Sequence, residues 1–451
     1  GLDCELRDEL IAAWRQYAQD PDDQVEHWLK QGSPMGIALR PQPLGIFPEY
    51  EDAKAAVDPS MLESESADLG YTIEPDVDDE SMKELETMVN RRWIRKFRNK
   101  FLAKRFVRGR VVVSKLVVIS KEKTVKNKHG AFEKKIKRRL ILDLKKSGVS
   151  KASAKYEKVV LPRVLDVVFD GLELLRHARR RGQRRRLEHL VLDFRNAFFH
   201  FPVAPIERRF LVAKVRDHYF VWVRATQGSR GAPLVCGRAL AQAMRLAFSV
   251  VPLSAARGSC YVDDPVMSFV GTDDENSRNK AKVIAVFAAL GYDLAFSKAQ
   301  SSKTESPITW TSARLHVDSE QEAIVITIKD EILAELMDNV SDHLKHNIMK
   351  VADLRTLAGR ATCVATLIHA WRPFVAMLWA PIFNSRAHCR KKPGFLWTKA
   401  VTVPMMWLRS FLNGAAGTIK RIYRLCDYLG EGVTTEIICD ASPLGLGACL
   451  V

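Results

Sequence analysis

The apolar residues between positions 110 and 328 recur with two periods in turn, and a chain that changes period in this way is neither all helix nor all strand. Strand-like runs stand at RVVVSKLVVI (110–119), RRLILDL (138–144), HLVLDF (189–194), RRFLVAKV, HYFVWVRAT, ITWTSARLHV and AIVITI. Between them LPRVLDVVFDGLELLRHA, PLVCGRALAQAMRLAF and RNKAKVIAVFAALG repeat their apolar positions at helical spacing. The Lys-rich stretch KEKTVKNKHGAFEKKIK reads as a loop between the first two strands. Upstream, Ser81 and Glu84 have capping-box spacing, and Leu85, Val89, Trp93, Phe97 and Phe101 recur every fourth residue, which predicts one helix with a basic face. From 329 to 412 helices dominate, and a strand returns only at TTEIICDAS (434–442). The alternation predicts an α+β core followed by a helical unit.

At 451 residues the chain exceeds one ordinary core and predicts roughly two to four domains. No apolar run is long enough to span a bilayer, so no membrane partner is expected. The opening GLDCELRDEL is acidic and amphipathic, unlike a signal peptide; the expected location is intracellular, nucleus or cytoplasm, not secreted. Starting at Gly1, the chain is expected to be a piece of a longer product. Eight cysteines are scattered without a CxxC pair or a Cys/His ligand spacing, which argues against a zinc site or disulfide framework and for a reducing compartment. Charge is unevenly spread: residues 1–90 hold 6 Lys and Arg against 22 Asp and Glu, whereas residues 91–451 hold 64 against 31. An excess of that size on one folded region points to a polyanionic partner, most commonly nucleic acid.

Two stretches concentrate carboxylates. YVDDP (261–265) sets Asp263 and Asp264 side by side at a tight turn, where like charges repel and are costly to bury unless a cation lies between them. A solvated turn is the competing reading, since Asp and Pro are common turn residues. VLDFRNAFFHFPV (191–203) leads to Asp193 at a strand end, with aromatics beginning at Phe198. Carboxylates so placed suit hard divalent cations such as Mg²⁺, and two such ions can hold the attacking and leaving oxygens of a phosphoryl transfer.

These residues carry a resemblance. VLDFRNAFFHFPV resembles the first palm motif of reverse transcriptases, and YVDD is similar to their Y-x-D-D turn. TQGSRGAPLVCGRAL (226–240) resembles the intervening Q-G…P helix motif, LGYDLAFSKAQ (290–300) the downstream Leu-Gly…Lys motif, and KIKRRLILDLKKSGV the finger segment that grips the triphosphate. Residues 350–385 are similar to the helical L-x-x-L-x-G…RPF segment of some retrotransposon polymerases, including DIRS-like ones. IICDASPLGLGACLV (437–451) resembles the opening of a ribonuclease H domain, with Asp440 as its first carboxylate; the sequence stops eleven residues later, so no ribonuclease H activity is expected.

The resemblance implies a right-hand polymerase of fingers, palm and thumb within the α+β class. The implied divisions are an acidic, partly disordered extension (1–80), fingers and the start of the palm (81–190), palm with inserted fingers strands (191–328), helical thumb and connection (329–433), and the truncated ribonuclease H start (434–451). Asp193 and Asp263 would ligate two Mg²⁺ (or Mn²⁺) ions, Asp264 would support the site, and the carbonyl of Phe194 would face a metal. Phe198 would exclude a 2′-OH, Gln227 and Gly228 would line the nucleotide pocket, and Arg139 and Lys137 would neutralise triphosphate oxygens. Lys298 would protonate the departing pyrophosphate.

The implied function is RNA-directed DNA polymerase, a nucleotidyltransferase that extends the 3′-OH of an RNA or DNA template-primer with dNTPs. The oligomeric state is not readable. An RNA-dependent RNA polymerase shares the palm carboxylates, but Phe198 and the ribonuclease H-like tail disfavour it. A decayed or repurposed copy that binds nucleic acid without catalysis is the reading from another class. The intact Asp193, Asp263 and Asp264 disfavour it, whereas Pro265 after the aspartates and Thr311 and Ser312, where the primer-gripping turn often has Trp-x-Gly, keep it open; ATQGSRGAP in place of a Leu-Pro-x-Gly form is a third departure from the family pattern.

Overall fold

The computed structural model describes residues 6–51, 54–65, 77–126, 132–182, 185–302, 306–368, 371–432, 437–442 and 445–450. Its elements mix helices with several antiparallel sheets, an α+β molecule. Among the described residues no helix is long and apolar enough to cross a membrane.

The central element is a four-stranded sheet in the order Ala256–Tyr261, Asp264–Gly271, Arg186–Val191, Gln300–Ser301, antiparallel throughout. Strand side chains alternate in direction, and here both directions are buried. Leu190, Met267 and Phe269 join one core with the helices Ala232–Phe248 and Asp273–Leu290, whereas Leu187, Val191, Val266 and Val270 join a second core with the helix Val164–Arg180. That is why HLVLDF and its partner read as nearly continuous apolar runs. The helix Asp273–Leu290 begins with a capping box from Thr272 and Glu275 and ends on Gly291 in the left-handed region, so its length is set locally.

A five-stranded sheet runs Ile94–Phe97, His218–Trp222, Val212–Val215, Val113–Lys126, Phe132–Asp143. Two expectations change here. The stretch read as a Lys-rich loop largely continues the two long strands, which pair from Lys115↔Asp143 to Lys126↔Phe132. The single helix expected over 81–101 is two helices, Asp79–Asn90 and Lys100–Val107, around the strand Ile94–Phe97. The first is capped by Asp78 instead of Ser81 and the second by Asn99. Fourfold spacing cannot reveal that Ile94–Phe97 has a strand waiting to pair with it at Tyr219–Trp222.

The implied division at residue 80 does not coincide with a structural one. Helices Asp8–Ala18 and Gln24–Gln31 put Ile11, Val25 and Trp28 into the first core, followed by Met35 and Ile37. Residues 6–51 are thus part of the main body, and their acidic side chains meet arginines of the helix Ala232–Phe248: the fully buried Arg238 contacts Asp22 at 2.7 Å, and the partly exposed Arg245 pairs with Asp20. Residues 66–76 of the acidic run lie outside the described residues.

The second core also holds the sheet Ile308–Trp310, Ala313–Asp318, Ala323–Ile328, Arg421–Arg424 and the helices Asp330–His343, Val351–Ala365, Arg372–Phe383 and Thr402–Leu412. Contrary to the sequence expectation, strands interrupt the helical region at Ile348–Lys350, Phe395–Trp397 and Arg421–Arg424. Near the carboxyl end, Ile437–Ser442 and Gly445–Leu450 form a hairpin in which Asp440 is opposite Gly447; the side chain of Asp440 lies outside what is described.

Candidate active site

Asp193 follows the strand Arg186–Val191, and Asp263 and Asp264 lie at the turn that opens the neighbouring strand. Antiparallel pairing brings these ends together, and the ladder continues beyond the strands: Leu192 N–H donates to the Pro265 carbonyl at 3.0 Å and Phe194 N–H to the Asp263 carbonyl at 2.8 Å. The three aspartates named from sequence therefore lie at adjoining strand ends. Pro265 pairs with Cys260 on one side and accepts from Leu192 on the other. The reciprocal bond to the Leu192 carbonyl is the one a proline cannot give, so the residue weakens the ladder by one bond without breaking the register.

The turn is a two-residue hairpin loop, Val262–Asp263, between Tyr261 and Asp264. Val262 has φ of 58°, a left-handed conformation rare for a β-branched residue. Each carbonyl around it is held by a different group. Cys260 Sγ–H donates to the Val262 carbonyl at 3.3 Å, Phe194 N–H serves Asp263, and Trp310 Nε1–H donates to the Asp264 carbonyl at 3.0 Å. The Trp310 ring also meets Tyr261 edge-on, at 6.2 Å between centroids.

Electrostatics mark the same place. Burial, then the neighbouring charges of Asp263 and Asp193, push the Asp264 carboxyl up to about 6, partly offset by Lys298 and Lys329. Burial also raises Asp263, with Asp193 adding to the rise and Lys298 and Arg139 opposing it. Lys298 Nζ lies 2.7 Å from both oxygens of Asp193 while remaining half-exposed. Among the described residues no three His, Cys, Asp or Glu side chains are gathered as a ready ligand set. The donor set is all oxygen, and two of its carboxyls are held above their ordinary range by repulsion and desolvation, a deficit that a hard divalent cation relieves. The residues fit such an ion on those grounds.

Other named residues fall as follows. Phe194 buries its ring against Phe287 and Tyr292, and Phe198 lies half-buried on the turn Ala197–His200, packed on the first core. Its neighbour Phe199 stacks on Trp93 at 4.3 Å. Gln227 is half-buried and Gly228 exposed, just before the helix Ala232–Phe248. Gly228 has φ of 101°, and a Cβ there would overlap the Leu142 carbonyl; its close approach is to the strand Phe132–Asp143 that carries Arg139. Arg139 is exposed and within electrostatic reach of Asp263, whereas the side chain of Lys137 lies outside what is described.

Sequence reasoning missed Trp310 as a strut, Lys329 as a countercharge, and the buried Cys236 and half-buried Cys260, whose thiols desolvation pushes up. The Trp in ITWTS was the one visible signal, and it drew attention only for the residues after it.

No protein-family model and no curated protein matches the chain. Among solved structures it is similar to a foamy viral protease-reverse transcriptase dRH in complex with double-stranded DNA, at 14% identity over 83% of this chain and 62% of that one, with a TM-score of 0.46. It is similar to the foamy viral protease-reverse transcriptase in complex with RNA/DNA hybrid at 13% identity, over 83% of this chain and 48% of that one, with a TM-score of 0.42. The same protein with double-stranded DNA gives 12% identity, 92% and 73% coverage and a TM-score of 0.43. The chain spans 62% and 48% of the length of the first two, and at this level of likeness the site is read from its own geometry.

Proposed function

We propose that the chain is an RNA-directed DNA polymerase, the reverse transcriptase portion of a retrotransposon polyprotein, possessing right-hand fingers, palm and thumb. The observation that carries the reading is the convergence of Asp193, Asp263 and Asp264 at adjoining strand ends, with Asp264 raised to about 6 and Lys298, Lys329 and Arg139 within electrostatic reach. Two Mg²⁺ or Mn²⁺ ions, held by the three aspartates, would supply the positive charge that activates a primer 3′-OH and steadies the departing pyrophosphate.

The chain's own groups do the rest. Arg139 and Lys137 neutralise triphosphate oxygens, Gln227 and Gly228 line the nucleotide, and Phe198 lies under the sugar and leaves no room for a 2′-OH. The primer 3′-OH gives up its proton to solvent water as its oxygen bonds to the α-phosphorus and the bond from that phosphorus to the β-phosphate oxygen breaks, and Lys298 gives a proton to the leaving pyrophosphate. Holding Asp193 beforehand keeps that ammonium at the reacting centre.

The test is primer extension on poly(rA)/oligo(dT) with Mg²⁺ or Mn²⁺, comparing the chain with Asp263→Asn. Extension that needs dTTP, prefers it to UTP and disappears in the variant is the expected result. Duplex binding without extension under either metal overturns the reading in favour of a nucleic-acid binder.

A further inference from the structure

Glu207 is a carboxylate buried to 0% exposure on the turn Pro205–Phe210, and among the described residues no Lys or Arg forms an ion pair with it. It accepts four backbone N–H groups instead. Oε1 takes Ile37 at 2.8 Å, Ala38 at 2.7 Å and Leu39 at 2.9 Å, and Oε2 takes Met35. A buried carboxylate is costly, and four donors converging on it fix the loop that supplies them. The loop is fixed at its other margins as well. Ser33 bridges to Val203, Ser33 N–H donates to the Pro202 carbonyl, and Ala154 N–H donates to the Gly36 carbonyl at 2.9 Å.

What this loop touches is the segment before the helix Ala232–Phe248. A Cβ at Gly231 would overlap the main chain of Met35, so the two backbones lie in direct contact. Arg230 is held by the Ser150 carbonyl at 2.9 Å and the Ser153 carbonyl at 3.1 Å, beside the Ala154 that Gly36 engages. A second clasp acts about two turns further along the helix, where Arg238 is fully buried between Asp22, Glu157 and the Gln42 carbonyl.

We infer that the amino-terminal segment is a built-in positioning element for the 226–231 loop, with Glu207 as the positioning residue that acts through residues 35–39 on Gly231. The inference rests on the proposed function for its consequence, since Gln227 and Gly228 are the nucleotide-facing residues of that reading. Glu207 touches no reacting atom. It sets where the loop stands, and so the affinity for the incoming nucleotide rather than the rate once it is bound.

The experiment compares Glu207→Gln, which turns one acceptor into an N–H donor facing the Met35 N–H, with Gly231→Ala, which leaves the Glu207 carboxylate intact but sets a methyl against the Met35 main chain. Amide hydrogen exchange is read first, on the full chain alone. Exchange in 226–231 is expected to quicken about tenfold in each variant while the amides of 192–194 at the carboxylate edge stay as in wild type. Extension kinetics are read second, with KM for dTTP expected to rise about tenfold, kcat to hold and the duplex Kd to stay unchanged. A uniform rise in exchange, or a fall in kcat at constant KM, overturns the inference. If Glu207→Gln does not fold, Gly231→Ala decides alone. If wild type extends no primer, the polymerase reading falls while the exchange data still decide the clasp.

Discussion

Val262, with φ of 58°, lies between the ordered strand that ends at Tyr261 and the first carboxylate of the turn. A β-branched residue in that region costs on the order of 1–3 kcal/mol, and it persists because the carbonyls around it are held from Cys260, Phe194 and Trp310. Val262→Gly removes the strain but frees the unfolded chain, so the net expectation is a gain of about 1 kcal/mol in urea unfolding. Trp310→Phe keeps a ring against Tyr261 but loses the Nε1–H donated to Asp264. It is expected to cost about 1–2 kcal/mol of stability and to lower the extension rate on poly(rA)/oligo(dT) more than it weakens duplex binding. Equal extension by Trp310→Phe and wild type would mean that the strut has no bearing on the carboxylates. The turn chemistry of YVDDP was legible in the sequence; its strut was not, because Trp310 and Asp264 are 46 residues apart and only folding makes them neighbours.

Where strand meets strand, His189 and Ser268 face each other across the central sheet, joined Nδ1 to Oγ at 2.9 Å on the side that packs against the second core. Burial pushes His189 down to about 4 from its ordinary 6.5. Between those values the unfolded chain binds the proton that the folded chain refuses. Its stabilising contribution is therefore complete above about pH 6.5 and is lost as pH falls toward 4, by up to about 3 kcal/mol. Thermal unfolding across pH 4–7 should show that slope in wild type, and His189→Asn should flatten it; an unchanged slope would place the titration elsewhere. The clasp of the amino-terminal segment on the helix Ala232–Phe248 depends on Arg238, whose side chain and those of Asp22 and Glu157 are 0% exposed. Arg238→Met leaves two carboxylates buried without their cation and is expected to cost about 3–5 kcal/mol in denaturant unfolding.

At the scale of the molecule, the excess of basic residues beyond position 90 gives a field that favours polyanions, but part of it is used internally. Arg176 pairs with Glu173, Arg179 with Glu431 at 2.9 Å and Arg257 with Asp170 at 3.2 Å. Duplex affinity measured by anisotropy from 50 to 300 mM salt should nevertheless fall with a log–log slope steeper than about −3, and a flat dependence would exclude a phosphate-tracking surface. The helices Val164–Arg180, Ala232–Phe248 and Asp273–Leu290 were legible because their apolar residues recur at helical spacing over many turns, and the carboxylate pair was legible because two adjacent Asp residues at a turn ask for a cation. The helix expected over 81–101 was not, since its fourfold spacing suits a helix while Tyr219–Trp222 recruits Ile94–Phe97 as a strand. Sequence by itself determined the local periods, the charge balance and the residue types at the candidate site, because these depend on neighbours along the chain. Tertiary structure alone decided that Asp193 lies within electrostatic reach of Asp263 and Asp264, that Lys298 sits on Asp193, and that Asp22 of the amino-terminal segment is buried against Arg238. Each of those depends on charges and donors far apart in sequence, whose energies are set by the water that folding removes from between them.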